Sequence, residues 1–174
     1  MKNLLSLLCC LLIGGIFIFS CDKIDELTEV DFKATYDADL EVESYSRDAN
    51  GDFYAFATIN PSSNQDFHKN KDKIKEINIL SVSGEVLSLN KDFKLNANLS
   101  IYSDNYTADW SESEFHMYVG AVLTLGNENK QWDNVRNIAN EKAPYHVSIS
   151  GNTSEDDLSF TLRVTIKYKI KAKN

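Results

Sequence analysis

The sequence predicts an all-β fold, an antiparallel β-sandwich of about seven or eight strands with one short helix. Two observations carry this. The first is unbroken alternation at both ends of the domain. Val30, Phe32, Ala34, Tyr36, Ala38, Leu40 and Val42 share one face, and Asp31, Lys33, Thr35, Asp37, Asp39, Glu41 and Glu43 share the other. At the C-terminus, Phe160, Leu162, Val164, Ile166, Tyr168, Ile170 and Ala172 oppose Thr161, Arg163, Thr165, Lys167, Lys169, Lys171 and Lys173. Side chains of a strand point to alternate faces, so this pattern reads as a strand with one buried side. The second observation is punctuation. Asn50-Gly51, Asn60-Pro61 and Gly151-Asn152 fall between apolar runs, where hairpin-like turns are needed.

The elements between follow in order. After the first strand, Asp48 to Asp52 reads as a turn, and Phe53 to Ile59 as the returning strand. That strand is apolar at both parities (Phe53, Ala55, Ala57 and Ile59 against Tyr54 and Phe56), which predicts burial on both sides. Ser62 to Asp72 is polar around Phe67, with Ser63 as a candidate cap of a short helical turn. Lys73 to Val82 reads as a strand ended by Gly84, and Val86 to Leu89 as a short extended piece. Lys94 to Ser103 alternates again. Ser103 to Glu114 reads as a polar loop holding Tyr106 and Trp110, and Phe115 to Leu125 as an apolar strand. Glu128 to Glu141 spaces Trp132, Val135, Ile138 and Ala139 as one helix face, with Pro144 beyond its end. Tyr145 to Ser150 is the penultimate strand.

Residues 1–20 have a different character. Lys2 is followed by a charge-free run from Asn3 to Ser20, apolar from Leu4 to Phe19. This is the order of a secretory signal peptide. The run is short for a span, which needs about 20 apolar residues, and Gly14 and Gly15 weaken it as a permanent helix. It ends in Ile18-Phe19-Ser20-Cys21: apolar, free, small, cysteine. The tetrapeptide resembles a lipobox, the cleavage and acylation signal of bacterial lipoproteins. Cleavage between Ser20 and Cys21 and lipid attachment at Cys21 are therefore expected. The domains are then a signal peptide at 1–20, an acylated cysteine and acidic tether at 21–29, and one sandwich at 30–174.

Composition narrows the function classes. Loss of the leader removes Lys2 alone, so 18 basic residues become 17 against 26 acidic, and the net charge of −8 becomes −9. A surface this acidic argues against nucleic acid and against a polybasic membrane contact. Cys9 and Cys10 leave with the leader and Cys21 is consumed by lipid, so the mature chain has no thiol for a zinc–thiolate site, a disulfide or a nucleophile. No nucleophile elbow, HExxH or phosphate-cradling loop occurs.

The remaining candidates are weaker. Asp48, Asn50 and Asp52 have the spacing that opens a calcium loop, but where such a loop needs Gly and Glu the chain has Phe53 and Ile59, so a solvated turn is expected. His68, His116 and His146 lack ligand spacing, and neither a metal nor a cofactor is expected. Abundant carboxylates permit, without indicating, a two-carboxylate hydrolase. Tyr106 and Trp110 are candidate ligand-contact aromatics for a sugar or a peptide. The alternative, and the expectation, is that Trp110 folds back over the core. Finally, the first and last strands carry outward charge of opposite sign. They are expected side by side, or else the lysines guard a free sheet edge.

Cys21-Asp22-Lys23-Ile24-Asp25-Glu26-Leu27, with the Tyr/Phe-rich alternating strands and basic last strand that follow, resembles the uncharacterised envelope lipoproteins of the Bacteroidota. The resemblance implies a lipid anchor in the outer membrane and brings no activity with it. Acidic residues after the cysteine resemble that group's surface-export signal. Lys23 and Ile24 interrupt the run, which leaves the choice of membrane face open. The expected function is a non-catalytic binding module for a protein or glycan partner. A structural or assembly subunit and a small carboxylate-dependent glycan hydrolase are the alternatives.

Overall fold

The computed structural model describes residues 29–43, 51–153 and 157–174. Ser20, Cys21, the leader, the tether up to residue 28, Asp48 and Asn50 lie outside the described residues. Among the described residues eight strands form two four-stranded sheets. They are β1 (Glu29–Val42), β2 (Asp52–Ile59), β3 (Ile74–Leu89), β4 (Phe93–Tyr102), β5 (Thr107–Met117), β6 (Val122–Thr124), β7 (Tyr145–Asn152) and β8 (Phe160–Lys173). One sheet has the order β1-β8-β3-β6 and the other β2-β7-β4-β5, with every pair antiparallel. This is the expected β-sandwich. Its inner faces meet in one core that includes Leu40, Val82, Ile101, Val147, Val164 and Ile166.

Among the described residues there are two short α-helices where one was expected. In α1 (Gln65–Asn70) the Asn64 side chain accepts from the Phe67 N–H at 2.9 Å, so Asn64, not Ser63, is the cap. Phe67 pins this helix to the core and meets the Tyr36 ring edge-on at 6.4 Å. In α2 (Gln131–Asn140) Val135, Ile138 and Ala139 are buried, and the Trp132 indole donates to the Leu125 carbonyl at 2.9 Å. The Tyr36 ring also meets Tyr168 at 5.7 Å; Tyr145 and Tyr168 share a buried hydroxyl–hydroxyl bond at 3.0 Å, and burial pushes both pKa values up. Among the described residues no helix is long and apolar enough to cross a membrane.

Three segments depart from the sequence reading. Gly84 lies inside β3 and does not end it. A Cβ there would come 3.3 Å from Leu162 Cδ1, so the glycine makes room for a neighbouring strand's side chain. The loop expected at Ser103–Glu114 is largely β5. Only Ala108 and Trp110 of its first half point inward, which leaves its composition polar. The apolar run Phe115–Leu125 is two elements, because the chain turns at Gly120 with φ +87° before β6.

The expected pairing of the first and last strands is present, with β1 and β8 adjacent in register from Glu29↔Lys173 to Val42↔Phe160. Arg163 donates through Nε and a terminal nitrogen to both Asp39 oxygens, at 2.7 and 2.8 Å. Lys169 faces a like charge at Lys33, so its ammonium reaches diagonally to Asp31 at 3.1 Å. Lys171 lies 3.8 Å from Glu29 on one side and 3.9 Å from Glu76 of β3 on the other. The basic strand is thus interior to its sheet, between two acidic neighbours, and the lysines do not guard an edge. Both partners of the Asp39–Arg163 pair are partly exposed, so it sets register more than stability. Asp39→Ala, Arg163→Ala and the double variant should each move the melting temperature by only about 2 °C, and less in high salt. The bond from Arg163 holds the Asp39 carboxyl below its ordinary pKa. Its contribution is therefore present at neutral pH and fades as the pH falls through that lowered value. Melts across salt and pH check both statements. A large, salt-insensitive shift would mean the pair is buried after all.

Candidate functional site

The two outer faces of the sandwich differ in chemistry. The sheet containing β8 presents the charged ladder just described. The outer face of the β2-β7-β4-β5 sheet presents aromatic rings, hydroxyls and amides. Register sets it out in rows across the strands. Thr58, His146, Tyr102 and Thr107 form one row, and Phe56, Ser148, Ser100 and Asp109 the next. Tyr54, Ser150, Asn98 and Ser111 form a third, with Asp52, Asn152 and Asn96 beyond.

Four rings gather at the β2 side of this face. Tyr54 and Phe56 stack at 6.0 Å, with their planes 29° apart. His146 meets Phe56 edge-on at 6.1 Å and lies against Tyr102 at 5.3 Å. The Tyr54 and Tyr102 hydroxyls lie 3.2 Å apart, joining β2 to β4 across the intervening β7. That bridge has room because β7 presents only Ser148 and Ser150 between them. The hydrogen bond with Tyr54, and to a smaller extent burial, raises the Tyr102 pKa, so its hydroxyl stays protonated at neutral pH. His146 Nδ1 is 3.0 Å from Thr58 Oγ1, which fixes the imidazole in the cluster. Yet Tyr54 is 51% and Phe56 59% exposed. Large aromatics bury most of their area on average, so two such rings in water on one strand mark a contact surface.

A cleft of about 480 Å³ adjoins the rings on the same face, lined by Asp52, Asn96, Asn98, Ser111, Ser150 and Asn152 among others. A second, of about 360 Å³, lies by the start of α2, between Asp109, Ser111 and Glu112 on one wall and Glu128, Asn129 and Gln131 on the other. Trp110 also borders this cleft, and Asp109 and Glu128 there are exposed.

The sequence candidates fare unevenly. Trp110 is 8% exposed and its indole donates to the Gly126 carbonyl at 2.8 Å, so it is a core cover and not half of a ligand platform. Tyr106 is 40% exposed at the β4–β5 turn, where its carbonyl accepts from the Ser103 N–H at 2.9 Å. The calcium spacing falls partly outside the described residues; Asp52 accepts from the Asn152 amide at 2.6 Å. His68 lies on α1, His116 packs its ring against Tyr118 at 5.6 Å, and His146 belongs to the aromatic cluster. Among the described residues no group of three or more His, Cys, Asp or Glu side chains could hold a metal.

The expected double burial of β2 is the important correction. Phe53, Ala55 and Ile59 are buried, but among the described residues no layer covers the parity of Tyr54 and Phe56. Sequence reasoning thus passed over the two most exposed rings of the site. An available signal was the polar outward parity of the strands they join, with Ser148 and Ser150 on one and Asn96, Asn98 and Ser100 on the other.

No protein-family model matches the chain, and no curated protein matches it. Solved structures give faint likenesses. One is a cryo-EM structure of mud crab tombus-like virus, at 9% identity and a TM-score of 0.32, covering 84% of this chain and 83% of that one. Another is from Desmodium yellow mottle tymovirus, at 7% identity and a TM-score of 0.29, covering 80% of this chain and 82% of that one. Scores this low define neither a shared fold nor a shared function.

Proposed function

We propose that this protein is a lipid-anchored lipoprotein of the outer membrane whose sandwich binds a glycan through the outer face of the β2-β7-β4-β5 sheet. It acts as a binding module and not as an enzyme. The observation that supports this is the cluster of Tyr54, Phe56, Tyr102 and His146 set beside serine and asparagine side chains. A sugar ring offers C–H groups on its faces and hydroxyls around its rim. The negative face of an aromatic ring receives the first, and hydroxyls and amides pair with the second. A protein partner would more often meet a larger apolar core with arginine among the anchors, and no arginine stands in these rows. The anchor rests on Ile18-Phe19-Ser20-Cys21, and the resemblance to Bacteroidota envelope lipoproteins favours the outer membrane.

The assembly alternative draws on β2 itself. It is a sheet edge whose only charge is Asp52, and such an edge can add a strand from another chain. The hydrolase alternative draws on Asp109, Glu112 and Glu128 at the second cleft.

Two experiments test the proposal. Cys21→Ala should abolish incorporation of labelled lipid and leave an unprocessed precursor. Continued processing and labelling of that variant would remove the anchor. For the module, the protein should be retarded in native gels containing a neutral envelope or plant polysaccharide, and the polymer should be recovered at full length. Retardation by no polysaccharide counts against glycan binding, and a shortened polymer would favour the hydrolase.

A further inference from the structure

Resting on the glycan-binding reading, we infer that the site is extended: the aromatic cluster and the adjoining cleft take successive units of one neutral oligosaccharide. The two are continuous, because the row that begins at Tyr54 runs through Ser150 to Asn98 and Ser111. A cleft of about 480 Å³ accommodates a small ligand, not a whole chain, so the remainder of the glycan lies over the rings.

The chemistry changes along that row. At the β2 end it is ring faces. In the cleft it is held hydrogen-bond donors. The Asn98 amide oxygen accepts from the Ser111 hydroxyl at 2.6 Å, and the Asn96 amide oxygen accepts from the Glu114 N–H at 2.8 Å. Each asparagine oxygen is held by one donor within the protein, which orients the amide and leaves its NH₂ group, with one acceptor lone pair, for a ligand. Donors fixed in this way suit hydroxyl and ring oxygens, and fixing them beforehand lowers the cost of binding.

Charge selects within that class. Among the described residues, the ionisable side chains lining the cleft are the carboxylates of Asp52 and Glu112. A uronate or sulfated sugar would bring its negative charge against these carboxylates, so the cleft disfavours acidic glycans.

The test is a titration of the full-length protein in detergent solution with neutral glucan, mannan and xylan oligosaccharides from disaccharide to hexasaccharide, alongside oligogalacturonates of matching length. For one of the neutral series, affinity should rise about tenfold from the shortest to the longest member, the worth of a few further contacts. Oligogalacturonates should bind at least about tenfold more weakly. Asn98→Ala should lose more affinity for the longest ligand than for the shortest, flattening the length dependence, while Phe56→Ala weakens every length. A wild-type affinity independent of length, still weakened by Phe56→Ala, would overturn the extended site and leave the glycan-binding reading intact. Preference for the galacturonates would overturn the neutral selection. Failure to bind any of these ligands overturns both readings. If the protein then sediments as a dimer that Phe56→Ala converts to a monomer, the face belongs to a second copy of the chain.

Discussion

Trp110→Ala should lower the melting temperature by roughly 10 °C, because removing a buried tryptophan costs about 3–5 kcal/mol and 1 kcal/mol shifts a domain of this size by about 2–4 °C. The indole is 8% exposed and faces an apolar cavity of about 20 Å³ shared with Leu95, Leu99 and Met117. Truncation enlarges a void that is already there, and a rigid strand pair cannot collapse to fill it. The change also removes the donor to the Gly126 carbonyl. Trp110→Phe should recover much of the packing without that bond, and so melt between the two. Circular dichroism melts decide this. An unchanged melting temperature for Trp110→Ala would mean that the ring stands in solvent.

Phe56→Ala should have the opposite signature. The ring is 59% exposed, so its loss should change stability by no more than about 0.5 kcal/mol. Binding should suffer far more. Aromatic anchors at the centre of a contact surface are worth about 2 kcal/mol or more, which is a loss of roughly thirtyfold in affinity. Phe56 touches both Tyr54 and His146, so its removal also unseats the ring stacked on it. Melting and titration on the same preparation separate the two outcomes. A Phe56→Ala protein that melts much lower, or binds as well as the wild type, would remove the ring from the site.

These two residues show what the sequence could and could not say. Alternation over Val30–Val42 and Phe160–Ala172 stated strand, buried parity and outward charge together, because period two leaves no other reading. The opposed charges then indicated that β1 and β8 are neighbours. The acidic strand on the far side of β8, β3, was not legible, since Glu76 and Glu85 interrupt a mixed pattern with register shifts. Trp110 looked like a loop residue because β5 has polar residues on every outward position and few inward ones. Tyr54 and Phe56 looked buried because aromatics are the signature of a core. Period two says that two faces differ, not whether a second layer covers one of them. The cluster is also non-local. Tyr102 and His146 meet only because β4 and β7 pair in that register, and no spacing along the chain records it.

The central claim is that the outer face of the β2-β7-β4-β5 sheet is the glycan-contacting surface. Its most direct test is a map of backbone amide shifts while a neutral oligosaccharide is titrated in. The largest changes should fall at Tyr54, Phe56, Tyr102 and His146 and extend to Asn96 and Asn98. Changes centred on Asp39, Arg163 and Lys169, or on the turn at Ser103 to Tyr106, would place the ligand elsewhere and contradict the account.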